Sequence, residues 1–160
     1  MPVEIERKFL VVEEGWRPLV KSSLCIRQGY LCLGMPGPSV RVRQAGPVAF
    51  VTIKGDGQVA RPEFEYEIPA EDAESMLEGL CHRPLGEKTR HEVWHAGVLW
   101  HVDEFGGGNS GLVMAEVELS AVDQALCLPP WIGREVTDDP GYRNSELSRR
   151  PLNDRGAAGA

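Results

Sequence analysis

The chain has 160 residues, 42% of them apolar and 26% charged, with a formal net charge of −7. That length supports one hydrophobic core, and the acidic excess argues against a general nucleic-acid binder, which carries a basic surface; a local cationic cluster inside a cavity still suits a small anion. No stretch approaches the ~18 apolar residues of a membrane span, and charges at positions 4, 6, 7 and 8 interrupt any signal-peptide pattern, so a cytoplasmic location without membrane or nucleic-acid partners is expected.

Period-2 alternation predicts strands near 3–11, 24–33, 39–44 and 48–54, then 61–68. PAEDAESMLEGL at 69–80 predicts a helix, with Pro early, acids in the first turn, and Ala73, Met76, Leu77 and Leu80 on one face. Strands follow near 86–94, 98–105 and 112–119. Ser120 is placed to cap a short helix through Leu126, and residues 140–150 predict a last helix stopped by Pro151. The end, 154–160, reads as a disordered tail on a single 1–153 domain. Gly- and Pro-rich turns at 34–38, 45–47, 55–57 and 106–111 separate the strands, so the class is β-dominated α+β, an antiparallel sheet or barrel.

Two motifs carry less than they promise. Cys25, Cys32, Cys81 and Cys127 lie far apart beside leucines, which predicts reduced, buried thiols rather than a zinc site. His91-Glu92-Val93-Trp94-His95 spells H-E-x-x-H. The zinc chemistry of that motif needs a helix; on a strand the two histidines stand about 13 Å apart, too far to share one ion.

The informative pattern is charge at i and i+2, which puts both charges of a pair on one strand face. EIERKFL opens the chain with Glu4, Glu6 and Lys8 against Ile5, Arg7 and Phe9. Arg41 and Arg43, Glu63, Glu65 and Glu67, Lys88 and Arg90, and Glu116 and Glu118 repeat it; Lys54, Arg61 and Asp103 add single charges. One such pair is an ordinary solvated face. Five, interleaved with apolar residues that must also be buried, point to a barrel whose apolar row faces outward beneath helices and whose charged row lines a lumen. Clustered acids there call for a hard divalent cation, and clustered arginines for phosphate oxygens. A metal-chelated polyphosphate satisfies both.

EIERKFL resembles the E-x-E-x-K signature of the CYTH superfamily, the triphosphate tunnel metalloenzymes. The likeness continues in order through IRQGYL (26–31), VRVR (40–43), TIKG (52–55), RPEFEYEIP (61–69), EKTR (87–90), HVDEF (101–105), AEVEL (115–119) and EVTDDPGYRNSEL (135–147). It is strongest to the short, single-domain bacterial members. The resemblance implies an eight-stranded antiparallel closed barrel with helices packed outside, and a Mg²⁺- or Mn²⁺-dependent hydrolase of triphosphates, foremost an inorganic triphosphatase. Class IV adenylate cyclase activity and non-catalytic polyphosphate binding are the alternatives. Small-molecule triphosphates (tripolyphosphate, nucleoside or thiamine triphosphate) are the implied partners, and a homodimer is compatible with it. Carried over, Glu4, Glu6, Glu116 and Glu118 are implied metal ligands, with Glu63, Glu65 and Asp103 as further candidates; Lys8, Arg41, Arg43, Lys54, Arg61, Lys88 and Arg90 are implied phosphate ligands. Tyr30, if it reaches the lumen opposite Lys88, gains a lowered pKa from that cation and becomes a candidate proton acceptor for the attacking water. Tyr142 and Asn144 are candidates for closing one tunnel mouth.

Overall fold

The computed structural model describes residues 2–34 and 36–158. Nine strands form: β1 (Val3–Val11), β2 (Val20–Leu33), β3 (Ser39–Ala45), β4 (Val48–Lys54), β5 (Ala60–Ile68), β6 (Gly86–His95), β7 (Val98–Phe105), β8 (Val113–Glu118) and β9 (Ile132–Glu135). They run in the order β5-β4-β3-β2-β6-β7-β8-β1-β9, and β1 pairs again with β5, closing β1 to β8 into an eight-stranded antiparallel barrel. The seam is shared. β5 takes the start of β1, from Val3↔Pro62 to Ile5↔Ala60, and the short β9 takes its end, Phe9↔Glu135 and Val11↔Ile132. β9 escapes the alternation signal because it spans only four residues.

Tight turns hold the register. Ala96 and Gly97 both have positive φ (49° and 75°), the geometry of a two-residue hairpin whose twist matches its strands. Ala45↔Val48 is closed by Gly46, at φ 58°, followed by Pro47.

The outer wall is covered in two ways. α1 (Ala70–Gly79) lays Ala73 and Leu77 on Val42 and Ala49. Gly29 on β2 admits Cys81 and Leu85 at van der Waals distance; a Cβ there would lie 2.8 Å from each. Over β1 and β6 to β8 the cover is not helical, contrary to expectation. Loops before β2 and before β9 drop Trp16 and Trp131 onto Phe9, Val93, Trp100 and Val117, with Trp131 edge-on to Trp100 at 5.9 Å. Ile5 and Phe9 do face outward, but beneath indoles, which bury a large apolar area from an irregular segment.

Other expectations give way locally. No helix forms over 120–126: Gln124 Oε1 accepts both the N–H and the hydroxyl of Ser120, closing an isolated turn instead. The last predicted helix breaks at Arg143, which is extended (φ −66°, ψ 140°), leaving a single turn at Pro140–Tyr142 and α2 (Asn144–Arg149). The tail expected to be disordered from 154 is helical to Ala158 as α3 (Leu152–Ala158), because Asn109 Oδ1 accepts the Leu152 N–H and Arg155 donates to the carbonyls of Arg150 and Gly141; Gly159 and Ala160 lie outside the described residues. The four thiols are free, but Cys25, Cys32 and Cys127 are exposed and Cys81 is only partly buried. Cys25, paired with Thr89, lies on the outward row where α1 does not reach. Among the described residues no helix is long and apolar enough to cross a membrane. His91 and His95 sit on strand β6, so the H-E-x-x-H spacing places no two ligands together.

Candidate functional site

Alternation sends one row of every strand inward, and register decides who meets whom. β1 and β8 pair Glu6 with Glu118 and Lys8 with Glu116; β1 and β5 pair Glu4 with Arg61. β6 and β7 pair Arg90 with Asp103, β7 and β8 pair His101 with Glu116, and β2 and β3 pair Gln28 with Arg43 and Tyr30 with Arg41. β4 and β5 pair Thr52 with Glu65 and Lys54 with Glu63. The result is a lumen cavity of about 160 Å³ lined by Glu4, Glu6, Glu63, Glu65, Glu116 and Glu118, by Arg41, Arg43, Lys54 and Arg90, and by His101 and Asn144. A larger concavity of about 630 Å³ lies along the outward row of β2, β6 and β7, beside Cys25, Arg27, Thr89 and Glu104, away from this charge.

The acids and bases interlock. Lys54 Nζ lies 2.6 Å from Glu4 and 2.9 Å from Glu63; Arg61 reaches Glu4 and Glu6, each at 3.4 Å. Lys8 Nζ stands between Glu6 (3.3 Å) and Glu116 (3.7 Å), and burial of its ammonium is outweighed by those two carboxylates, which raise its pKa. Arg90 donates twice to Asp103, both at 2.8 Å, and once to Glu116 at 2.9 Å. Burial opposes ionisation of Glu116, but Lys8 and Arg90 outweigh it and hold the carboxyl well below its usual range.

Asp103 has a different task from the metal role the resemblance offered. Both its oxygens accept from cations, Oδ1 from Arg90 and Oδ2 from Arg90 and Lys88, and its side chain is fully buried. Both oxygens are thus engaged in positioning Lys88 and Arg90. Burial is again outweighed by Lys88 and Arg90, and its pKa drops to about 2. For Lys88 burial dominates, with Arg90 and Arg43 adding repulsion, and its pKa falls to about 7 despite Asp103.

Arg43 is the exception among the cations. Its Nε donates to the neutral Gln28 Oε1 at 3.0 Å, and among the described residues it makes no ion pair. Burial, then repulsion from Arg41 and Arg90, lowers its pKa to about 9. Arg41 is little better served: Glu65 lies 3.8 Å away, Thr52 accepts at 3.3 Å, and its buried Nε has no partner. Three guanidinium groups thus converge, and among the described residues one of them makes no direct ion pair, with Asp103 and Glu116 acting on it only at a distance.

The acidic side fits a hard cation. Glu116 Oε1 is buried and accepts no hydrogen bond. Glu118 is pushed above the usual carboxylate range, by burial first and then by Glu4, Glu63 and Glu6. Among the described residues no three His, Cys, Asp or Glu side chains are already gathered around one point; Glu4, Glu6 and Glu116 are held by lysine and arginine, so a metal would have to exchange with those groups.

Tyr30 is buried and reaches the lumen wall, but the residue opposite Lys88 on β2 is Ile26; Tyr30 lies two inward positions further along, facing Arg41. It lines the end of the lumen formed with Arg61, Arg143 and Ser145. The break at Arg143 instead brings Asn144 in, with Oδ1 at 3.4 Å from both Lys88 Nζ and Gln28 Nε2. Tyr142 packs against Met114, Val136 and Leu147, under Arg134. Glu67 sits exposed at the barrel rim. The residues that charge counting missed, Gln28, Thr52 and His101, are neutral members of the same rows; the signal was their spacing of two from Tyr30, Lys54 and Asp103.

A family model for the CYTH domain matches residues 2–150. The chain is 45% identical over 152 residues to the inorganic triphosphatase of Acetivibrio thermocellus, covering 94% of this chain and 96% of that one. It is 38% identical over 148 residues to the inorganic triphosphatase of Nitrosomonas europaea, with 91% and 96% coverage. Among solved structures, the inorganic triphosphatase NE1496 superposes with a TM-score of 0.67 at 37% identity, over 92% of this chain and 95% of that one.

Proposed function

This chain belongs to the CYTH domain family, and from that premise we propose that it is a divalent-metal-dependent triphosphatase that cleaves inorganic tripolyphosphate to pyrophosphate and phosphate. The observation that carries the reading is Arg43: a lumen guanidinium that among the described residues makes no direct ion pair, is hydrogen-bonded to an amide and is repelled by Arg41 and Arg90 is placed to receive an anion. Both curated relatives are inorganic triphosphatases, which favours a short linear triphosphate.

Arg41, Arg43, Arg90 and Lys54 bind phosphate oxygens along the lumen, and Lys8 and Arg61 keep Glu6 and its neighbours aligned. Mg²⁺ or Mn²⁺ held by Glu4, Glu6, Glu116 and Glu118, with Glu63 and Glu65 beside them, would supply charge neutralisation of the phosphates. Water attacks the terminal phosphorus; the new P–O bond forms as the bridging P–O bond breaks and pyrophosphate leaves. Lys88, its Nζ held by Asp103 and Asn144, stays a fixed cation at the lumen wall, and the proton of that water leaves on the phosphate products. Tyr30 orients the chain end near Arg41. A cytoplasmic location accords with four unpaired thiols.

The test is phosphate release from tripolyphosphate, ATP, GTP and thiamine triphosphate with Mg²⁺ or Mn²⁺. Tripolyphosphate is expected to be the fastest, with pyrophosphate and phosphate in equal amounts. Absence of turnover on all four sinks the proposal, and cyclic AMP from ATP replaces it with a cyclase.

A further inference from the structure

Resting on that reading, we propose that His101 adds an imidazole nitrogen to the carboxylate metal centre and so biases the site toward Mn²⁺ over Mg²⁺. His101 lies on the inward row of β7, and its two cross-strand neighbours are acids, Glu116 on β8 and Glu92 on β6. Side chains directly opposite in an antiparallel pair start about 5 Å apart, a span that one ion bridges between an imidazole and a carboxylate. The ring lines the same cavity as Glu4, Glu6, Glu116 and Glu118.

Its nitrogens are uncommitted. Among the described residues neither makes a hydrogen bond, and Glu92 Oε1, 4.0 Å from Nε2, is beyond hydrogen-bond reach. His91 shows the contrast. It sits on the outward row with both nitrogens engaged, Nδ1 with Ser23 at 2.6 Å and Nε2 with Glu104 at 2.8 Å. Among the described residues lining that cavity, His101 is the one imidazole facing the acids. Carboxylate oxygens suit Mg²⁺ and Mn²⁺ alike, whereas imidazole favours the transition ion, because Mg²⁺ prefers hard oxygen and its own water shell.

The experiment uses the full chain stripped of metal with a chelator and loaded with Mn²⁺, read by electron spin-echo envelope modulation and by titration calorimetry. The wild-type spectrum is expected to show nitrogen coupling, kept in His91→Gln and lost in His101→Gln. His101→Gln is expected to weaken Mn²⁺ about tenfold and Mg²⁺ less than about twofold. Mn²⁺ bound without nitrogen coupling, coupling that survives in His101→Gln, or equal losses for both ions overturns the assignment of His101. The wild-type spectrum decides even if a variant fails to fold. If Mn²⁺ does not bind the wild-type chain, the metal-dependent triphosphatase reading falls as well.

Discussion

Lys88 Nζ lies 2.7 Å from Asp103 Oδ2, and neither side chain is exposed to solvent. Arg90 completes the arrangement by bridging Asp103 to Glu116. One carboxylate therefore anchors two cations of the lumen and links them to the acidic wall. Replacing it with the isosteric amide leaves two buried cations short of a counter-charge. Asp103→Asn is expected to destabilise the fold by ~3–5 kcal/mol, the cost of breaking a buried ion pair, measured by urea unfolding at neutral pH; a loss under about 1 kcal/mol would show that Glu116 alone suffices.

The same residue sets a pH dependence. Its pKa falls from about 3.9 in an unfolded chain to about 2 in the fold. A lowered folded value means that the unfolded state binds the proton more tightly, so this contribution is complete above pH ~4 and drains away as pH falls toward ~2. Unfolding midpoints at pH 5, 3.5 and 2.5 are expected to drop across that window. Asp103→Asn is expected to flatten the drop.

Arg43 predicts the opposite balance of stability and function. Arg43→Met removes a largely desolvated charge that among the described residues pairs directly with no acid, so thermal stability is expected to stay level or rise, while kcat/KM for tripolyphosphate falls about 10²-fold or more. A variant as active as the wild type contradicts the placement of substrate at this guanidinium.

Glu118 makes the matching case on the acidic side. Glu118 is exposed at the end of β8, its carboxyl is raised by partial desolvation and then by Glu4, Glu63 and Glu6, and among the described residues it has no ion-pair partner. Glu118→Gln relieves that repulsion. Melting temperature without metal is expected to hold or climb, and Mg²⁺ affinity by calorimetry to weaken about tenfold. Unchanged affinity removes Glu118 from the ligand set.

The outer wall carries stability without touching the lumen. Trp131 is buried edge-on against Trp100, next to Phe9 and Trp16. Trp131→Ala is expected to cost ~3–5 kcal/mol in denaturant unfolding. The folded fraction is expected to keep its KM, because Phe9 faces away from Lys8.

Much of this site was readable from local spacing. The E-x-E, R-x-R and K-x-R pairs name the inward row directly, since i and i+2 share a strand face whatever the strand pairs with. Neutral members of the row, His101 and Gln28, needed the same logic without a charge to draw attention to them. α1 was readable too, because its apolar face repeats within a few residues. β9, α3 and the break at Arg143 were not. Each is short and is held by distant partners: β1 for β9, Asn109 for Leu152, and a carbonyl of the 55–57 turn, Gly57 O, which accepts from Arg143 at 3.5 Å.

By itself the sequence determined that a β-dominated chain would carry one charged and one apolar row, and which residues belong to each, because strand geometry makes that a property of neighbours in the chain. Tertiary structure alone decided the pairings: that Asp103 is spent on Lys88 and Arg90, that Arg43 meets an amide instead of an acid, that Ile26 rather than Tyr30 stands opposite Lys88, and that tryptophans rather than helices roof half the barrel. Those outcomes depend on register between strands far apart in sequence. A shift of two residues there exchanges every partner while leaving each strand's own alternation untouched.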